Sequence, residues 1–286
     1  MKNLGKIALA LGLIVLSIIS FTACGATNQS TTKSDAAAAG RIVVLSPADM
    51  EILFAIGAQD KVVGRSNYCD YPEAALSIQS VGECLLPNTE KIVALNPDVI
   101  ITEQGLTDQK TLDGLTQLGL RVDANLPPTS IEGIYDKIAY LGKLSGRDES
   151  ASKLVSDLKD FVIGEQAKNQ GVVAKKVYYV IDTGEYGEFA ATGDTFINDI
   201  IGIAGFDNVA KNATGWMFSP ELLITADPEF IIGSELNLSK IKANAQYKNI
   251  KAVKENKLIA IDDNIFSRPS PRAIMEGVDI LRELLK

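Results

Sequence analysis

Two glutamates stand at matching points of one motif written twice. NTEKIVALNPDVIIT runs from Asn88 to Thr102, and SPELLITADPEFIIG runs from Ser219 to Gly233. In each copy a capping residue precedes the glutamate, Glu90 or Glu221, by two positions. An apolar run, a proline, an acidic residue and a strand-like tail follow. A carboxylate in the first turn of a helix is stabilised by the partial positive charge of the N-terminus, by about 0.3–1 kcal/mol. That accounts for an acid in each place, but not for its duplication.

The rest of the chemistry is bounded by what the chain lacks. It contains no histidine, which removes a Ser-His-Asp triad and the usual hydrolytic zinc centres. There is no G-x-S-x-G elbow and no G-x-x-x-x-G-K-[ST] phosphate loop. Carboxylates are plentiful, but an acid–base pair is defined by distances that a sequence does not give. The net charge of −8 opposes nucleic-acid binding, which needs a basic surface. An enzyme is therefore not expected.

The elements that position these residues alternate. Arg41 to Leu45 and Lys61 to Gly64 read as short strands. Between them Ser46, Pro47 and Asp49 form a helix start, and that helix ends near Gly57. Asn88 caps a short helix that stops before Pro97, and Asp98 to Thr102 is a buried-type strand. A helix over Asp108 to Leu118 and a strand over Leu120 to Asp123 complete an N-terminal lobe, residues 41–128. From 129 to 171 no strand is expected. Ile131 to Leu144 is one helix, and Glu149 to Asn169 is a second, about 32 Å long. Alternation resumes over 172–286. There the strands are Lys176 to Asp182, Glu229 to Gly233 and Leu258 to Asp262, with helices over Thr195 to Ala204 and Pro271 to Lys286. This pattern predicts an α/β protein with mainly parallel sheets. LFAIGAQDKVVG from Leu53 and IIGIAGFDNVA from Ile200 extend the repeat, so two related Rossmann-like lobes joined by one long helix are expected. Such lobes leave a cleft between them, where ligands favour binding.

Six segments, taken in order, carry a resemblance: SPADMEILFAIGAQDKVVG, NYCDYP, NTEKIVALNPDVII, GDTFINDIIGIAG, SPELLITADPEFII and FSRPSPR. Together they resemble the periplasmic-binding-protein family that serves ABC importers of vitamin B12, iron–siderophores and haem, over nearly all of residues 41–286. The resemblance implies the class III fold, with Glu149 to Asn169 as the rigid bridge and limited closure on the ligand. It implies a partner too, an ABC permease dimer with its ATPase subunits. Glu90 and Glu221 would pair with arginines of that dimer, one glutamate per lobe, in charge-assisted contacts.

The same resemblance indicates ligand-side positions. Tyr68 in NYCDYP matches a residue facing the ligand, and Trp216 matches an aromatic lying against the corrin, where a planar ring offers stacking area. Arg268, beside Phe266 in FSRP, matches a ligand-side arginine. Asn264 falls where B12-binding members carry aspartate, and Cys84 where they carry tryptophan. Arg65 adds a charge near the tyrosine, so Arg65 and Arg268 together would meet an anionic siderophore or a haem propionate. The absence of histidine disfavours bare zinc and suits a metal already wrapped in a chelate. The expected ligand is a corrinoid or a ferric chelate, with no intrinsic cofactor and a monomeric binding protein. A cell-surface adhesin is the rival from another class.

The first residues read as a leader. Lys2 and Lys6 precede an apolar run over Ile7 to Ile19, shorter than a membrane span requires. Small residues then lead to Cys24, which resembles a bacterial lipobox. A signal peptide over 1–23, lipidation of Cys24 and a flexible tether over 24–40 are expected, which puts the body outside the cytoplasm on a lipid anchor. Cys69 and Cys84 then stand as either a disulfide or two free thiols.

Overall fold

The computed structural model describes residues 38–184 and 187–285; the signal peptide, Cys24 and most of the expected tether lie outside them. The N-terminal lobe holds β1 (Ile42–Val44), α1 (Pro47–Ala55), β2 (Val62–Arg65), α2 (Thr89–Ala94), β3 (Val99–Glu103), α3 (Gln109–Gln117) and β4 (Val122–Asn125). Its four strands run parallel in the order β2-β1-β3-β4. Two helices follow, α4 (Ile131–Ser145) and α5 (Asp148–Ala167). The C-terminal lobe begins with β5 (Lys176–Gly184), β6 (Gly187–Ala190), α6 (Phe196–Ile203), β7 (Asp207–Asn208), α7 (Pro220–Ala226) and β8 (Phe230–Gly233). It ends with α8 (Glu235–Ala243), α9 (Lys251–Lys254), β9 (Leu258–Ala260), α10 (Asp263–Phe266) and α11 (Pro271–Glu283).

The second sheet has the order β6-β5-β8-β9, with β7 also pairing to β5. Only β6 is antiparallel in it. The short β6 and β7 are absent from the sequence reading. β6 is four residues long and β7 two, so neither shows a period of its own.

Both sheets are covered on both faces, as parallel sheets must be. Ile42 and Val44 of β1 and Val99 and Ile101 of β3 face one core, while Val43 and Ile100 face another. In the second lobe Val177 and Tyr179 face the first core and Tyr178 and Val180 a third. The first core is continuous across the two lobes. It takes in α1, α4, α6 and α11, with Ala151 and Leu158 of α5.

The caps read from the sequence at Ser46, Asn88 and Ser219 are present, and other helices are capped the same way. Ser46, Asn88, Ser130, Thr195, Ser219 and Ser270 each accept a hydrogen bond from a backbone N–H in the first turn of their helix. α5 is the bridge. At its start Arg147 donates to the Gly57 carbonyl (3.1 Å) and to Asp60 (2.8 Å) of the first lobe. At its far end Glu165 accepts from Arg282 (3.0 Å), and Asn169 donates to the Ile203 carbonyl (3.1 Å) of the second. A helix packed into the shared core and pinned at both ends resists wide lobe movement.

Candidate functional site

The inter-lobe cleft holds two adjoining cavities. One, of about 310 Å³, is lined from the first lobe by Pro47, Ala48, Tyr68, Cys84, Glu103 and Leu106, and from the second by Asn264, Ser267 and Arg268. The other, of about 250 Å³, is lined by Tyr179, Ile181, Phe196, Ile197, Trp216, Asp263, Phe266 and Ser267. Ser267 is common to both. The walls are largely apolar, with a few polar groups, as is usual for small-molecule sites.

Tyr68 stands 53% exposed at the rim of the first cavity. Its loop is braced from below. Asn67 donates from its backbone to the Gly82 carbonyl (2.7 Å) and from its side chain to Glu83 (2.7 Å), and the Ser66 hydroxyl donates to the Leu45 carbonyl (2.9 Å). Trp216, 39% exposed, lines the second cavity. Its backbone is left-handed, with φ of 67°, directly after Gly215 at 73°. A non-glycine residue in that region is held there by its surroundings. Its N–H donates to the Thr192 hydroxyl (3.1 Å), its carbonyl accepts from Ala190 (2.7 Å), and the Gly215 N–H donates to Asp194 (2.9 Å). Gly193 lies beneath this turn, and a β-carbon there would collide with the Lys211 carbonyl.

Arg268 lines the cleft but is 6% exposed. Its Nη1 donates to Asp70 (2.7 Å) and to Glu51 (3.3 Å), and its Nη2 donates to the Asn264 side-chain oxygen (3.0 Å). Glu51 also accepts from Ser270 (2.6 Å) and from Arg272 (3.3 Å). Burial pushes its carboxyl above the usual range, against the pull of Ser270, Arg272 and Arg268. The ring of Tyr71 lies 3.9 Å from the Arg272 guanidinium. An N-lobe carboxylate on α1 is thus tied to the segment that begins the C-terminal helix. Under the first cavity a second buried set joins the lobe's own elements. Lys137 of α4 meets Asp49 of α1 at 3.0 Å, and burial pushes Asp49 up to about 7. Glu103, at the end of β3, lines the cavity above them, its carboxyl raised by burial and lowered in part by Lys137.

Against the sequence expectations, Tyr68, Cys84, Asn264 and Arg268 come together in one cavity, with Trp216 and Phe266 in its neighbour. Phe266 is fully buried and packs on Tyr179 at 5.4 Å, so it is wall rather than rim. Arg65 is displaced from its expected place. It is buried, donates to the carbonyls of Ser66 (3.0 Å) and Leu76 (3.5 Å), and lines neither cavity. An arginine on a strand end beneath a loop is drawn to the loop's carbonyl groups. Cys69 and Cys84 are free thiols, Cys69 wholly buried against the Ser66 hydroxyl (3.3 Å). Glu90 and Glu221 are exposed in the first turns of α2 and α7. Backbone and Ser219 hydrogen bonds hold the Glu221 carboxyl below its ordinary range. Glu51, Asp70, Glu103 and Ser267 were not singled out from the sequence. Charged residues inside a helix or loop read as solvated, and the partners of Glu51 and Asp70 lie some two hundred residues away.

Residues 42–265 match the family model described as periplasmic binding protein, and the chain belongs to that family. It is a substrate-binding component of an ABC importer, with a permease as partner and a small molecule as ligand. It is 29% identical over 252 residues to an uncharacterized ABC transporter substrate-binding lipoprotein of Bacillus subtilis (strain 168), covering 85% of this chain and 79% of the relative. It is 28% identical over 253 residues to the vitamin B12-binding protein of Yersinia pestis (strain Pestoides F), covering 87% and 88%. Among solved structures, a possible iron-binding (periplasmic solute-binding) protein from Staphylococcus epidermidis superposes with a TM-score of 0.76 at 27% identity, covering 86% of this chain and 98% of that one. These relatives are binding proteins, not enzymes. The family works outside the cytoplasm, and no helix among the described residues is long and apolar enough to cross a membrane.

Proposed function

We propose that the chain captures a large metal chelate, a cobalamin-type corrinoid before others, in the inter-lobe cleft and delivers it to the permease. The observation that carries this reading is the pair of exposed aromatics from opposite lobes. Tyr68 and Trp216 line cavities that meet at Ser267. Planar rings suit a planar macrocycle, and uncharged donors and acceptors such as Asn264 and Ser267 suit its amide periphery. The B12-binding relative adds weight. The mechanism is non-covalent: capture, small closure about α5, then docking of Glu90 and Glu221 on arginines of the permease dimer. In this reading Cys24 carries the lipid anchor, the tether gives the body reach, and the protein acts as a monomer.

A second reading, an iron–siderophore ligand, is favoured by the possible iron-binding relative from Staphylococcus epidermidis. Titration with cyanocobalamin, read by Trp216 fluorescence and melting temperature, tests the first. Quenching with a raised melting temperature is the expected result. No change with cyanocobalamin, but a response to a ferric hydroxamate, transfers the proposal to the second reading. No response to either ligand rejects the chelate class.

A further inference from the structure

Among the described residues lining the two cavities, Arg268 is the one basic residue, and Glu103 and Asp263 are the acidic ones. A lone arginine in a binding cleft would ordinarily attract carboxylates or catecholates. This one is already engaged. Its Nη1 lies 2.7 Å from Asp70 and 3.3 Å from Glu51. Glu51 serves two guanidinium groups, Arg268 and Arg272, both at 3.3 Å. One carboxylate neutralises only one of them. Arg272 has further acids in Glu276 (3.1 Å) and Asp262 (3.8 Å), whereas Arg268 has Asp70. Asp70 therefore completes the neutralisation of the cleft arginine. Arg65, the other arginine of this region, is turned onto backbone carbonyls and lines neither cavity.

We infer that Asp70 is a specificity-determining residue: by pairing with Arg268 it leaves the cleft without a free positive charge, so that uncharged or cationic chelates are accepted and anionic ones refused. This rests on the chelate reading above and narrows it by charge. What Arg268 retains is a positioning role. Its Nη2 holds the Asn264 side-chain oxygen at 3.0 Å, so the amide NH2, not the oxygen, is what Asn264 offers to an uncharged acceptor on the ligand. Rejection of anions follows from the remaining carboxylates, since like charges brought together in a partly desolvated cleft are costly.

The test compares wild type, Asp70→Asn and Asp70→Ala on the full chain, with three probes: uncharged cyanocobalamin, a cationic ferric hydroxamate and an anionic ferric catecholate. Asp70 is on a loop with its side chain about half exposed, so both variants are expected to fold, checked by an unchanged near-ultraviolet spectrum. Wild type is expected to bind the uncharged or the cationic probe and to reject the catecholate. Both variants are expected to gain catecholate affinity by about tenfold or more, since removing one nearby charge is worth at least that in a partly buried site. The gain should shrink with added salt. Wild type that prefers the catecholate, or variants that leave the ranking of the three probes unmoved, overturns the inference while the chelate reading stands. Wild type that binds none of the three overturns both. Should either variant misfold, the salt dependence of wild-type binding decides. Catecholate affinity that falls steeply with salt reveals a free cation and sinks the inference. Catecholate rejection at every salt concentration upholds it.

Discussion

Glu51 and Ser270 meet at 2.6 Å across 219 positions of chain. The contact joins the middle of α1 to the cap of α11, hence one lobe to the other. The same carboxylate receives Arg268 and Arg272, so three donors from the second lobe converge on one side chain of the first. The set is nearly dry: Glu51 is 4% exposed and Ser270 not at all. A charge-assisted cluster of this kind fixes geometry more surely than it adds stability. Removing its charge, however, takes a shared, buried acceptor away from two guanidinium groups.

Glu51→Gln should therefore destabilise the protein by about 3 kcal/mol, the low end of the range for breaking one partner out of a buried pair, because each guanidinium keeps another acid. Chemical denaturation measures this. A loss below about 0.5 kcal/mol would show that the existing pairs with Glu276, Asp262 and Asp70 suffice for the two arginines without Glu51. Small-angle scattering of the variant should show the lobes further apart or more variable than in wild type.

Much of the scaffold was legible because the signals were local. The serine and asparagine caps at Ser46, Asn88 and Ser219, Pro47 at a helix start and Gly57 at a helix end all act within one turn of chain. The cleft was legible only through the repeat and the resemblance. What stayed hidden was long-range. Glu51 sits mid-helix between apolar neighbours, where a glutamate reads as a surface residue, and its partners begin 217 positions away. Arg65 shows the same limit: it stands close to NYCDYP in sequence, but whether its side chain points to the cleft or to carbonyl groups beneath depends on the strand's register, which a sequence does not give. The antiparallel pairing of β5 with β6 has no sequence signal, because Glu185-Tyr186 between them is not an Asn-Gly or Asp-Gly pair.

Trp216 occupies left-handed backbone space, which costs a non-glycine residue about 1–2 kcal/mol. Trp216→Gly should accordingly be at least as stable as Trp216→Ala, by about 1 kcal/mol, although glycine is ordinarily the worse choice. Both variants should lose ligand affinity by about tenfold or more, as the stacking surface is gone in each. Thermal melts and ligand titrations of the two check it. An alanine variant clearly more stable than the glycine one would mean that the turn relaxes out of the left-handed region without its indole.

The two thiols should react very differently. Cys69 is buried, and desolvation pushes its thiol up to about 12. Cys84 faces the cavity beside Tyr68, its thiol raised by partial burial. In a Cys24→Ser background, a maleimide should label one thiol per folded chain, slowly at neutral pH and faster as the pH rises, because the thiolate reacts. The second thiol should appear only on unfolding. Bound ligand should protect Cys84. Two equally reactive thiols, or none under reducing conditions, would contradict the cavity as described.

Asp49 gives a pH signature with a fixed sign. Burial raises its carboxyl from 3.8 in the unfolded chain to about 7 in the folded one, with Lys137 opposing. Between those values the folded state binds the extra proton, so this group's contribution is most favourable at low pH. It is lost as pH rises from about 4 to about 7. Carboxylates held low, such as Asp194 and Glu229, contribute the opposite slope, so the group must be isolated by difference. Asp49→Asn should remove this group's share of the falling component, leaving a stability profile that falls less steeply over that window than wild type, while Glu51 and Glu103, also raised by burial, keep theirs. Urea denaturation at intervals from pH 4 to pH 8 measures both curves. Parallel curves would mean that Asp49 stays ionised against Lys137 throughout.

The duplicated glutamates return as a separable function. Glu90 and Glu221 are exposed, in short helices capped by Asn88 and Ser219, and neither lines a cleft cavity. Substituting both by alanine removes two carboxylates favoured by their helix dipoles, a cost of about 1 kcal/mol or less each. If they are the permease contacts, the double variant should bind ligand with unchanged affinity and melt within a few degrees of wild type. It should fail to stimulate the transporter's ATPase in reconstituted vesicles. Each single variant should be intermediate, because one lobe would still be held. Charge reversal to lysine at both sites should be worse than alanine, since it sets like charges against the arginines expected opposite. Full transport by the double alanine variant would remove the docking role and leave the acids as helix-start residues alone. A loss of ligand affinity in that variant would instead assign the acids to the cleft, against their positions in the fold.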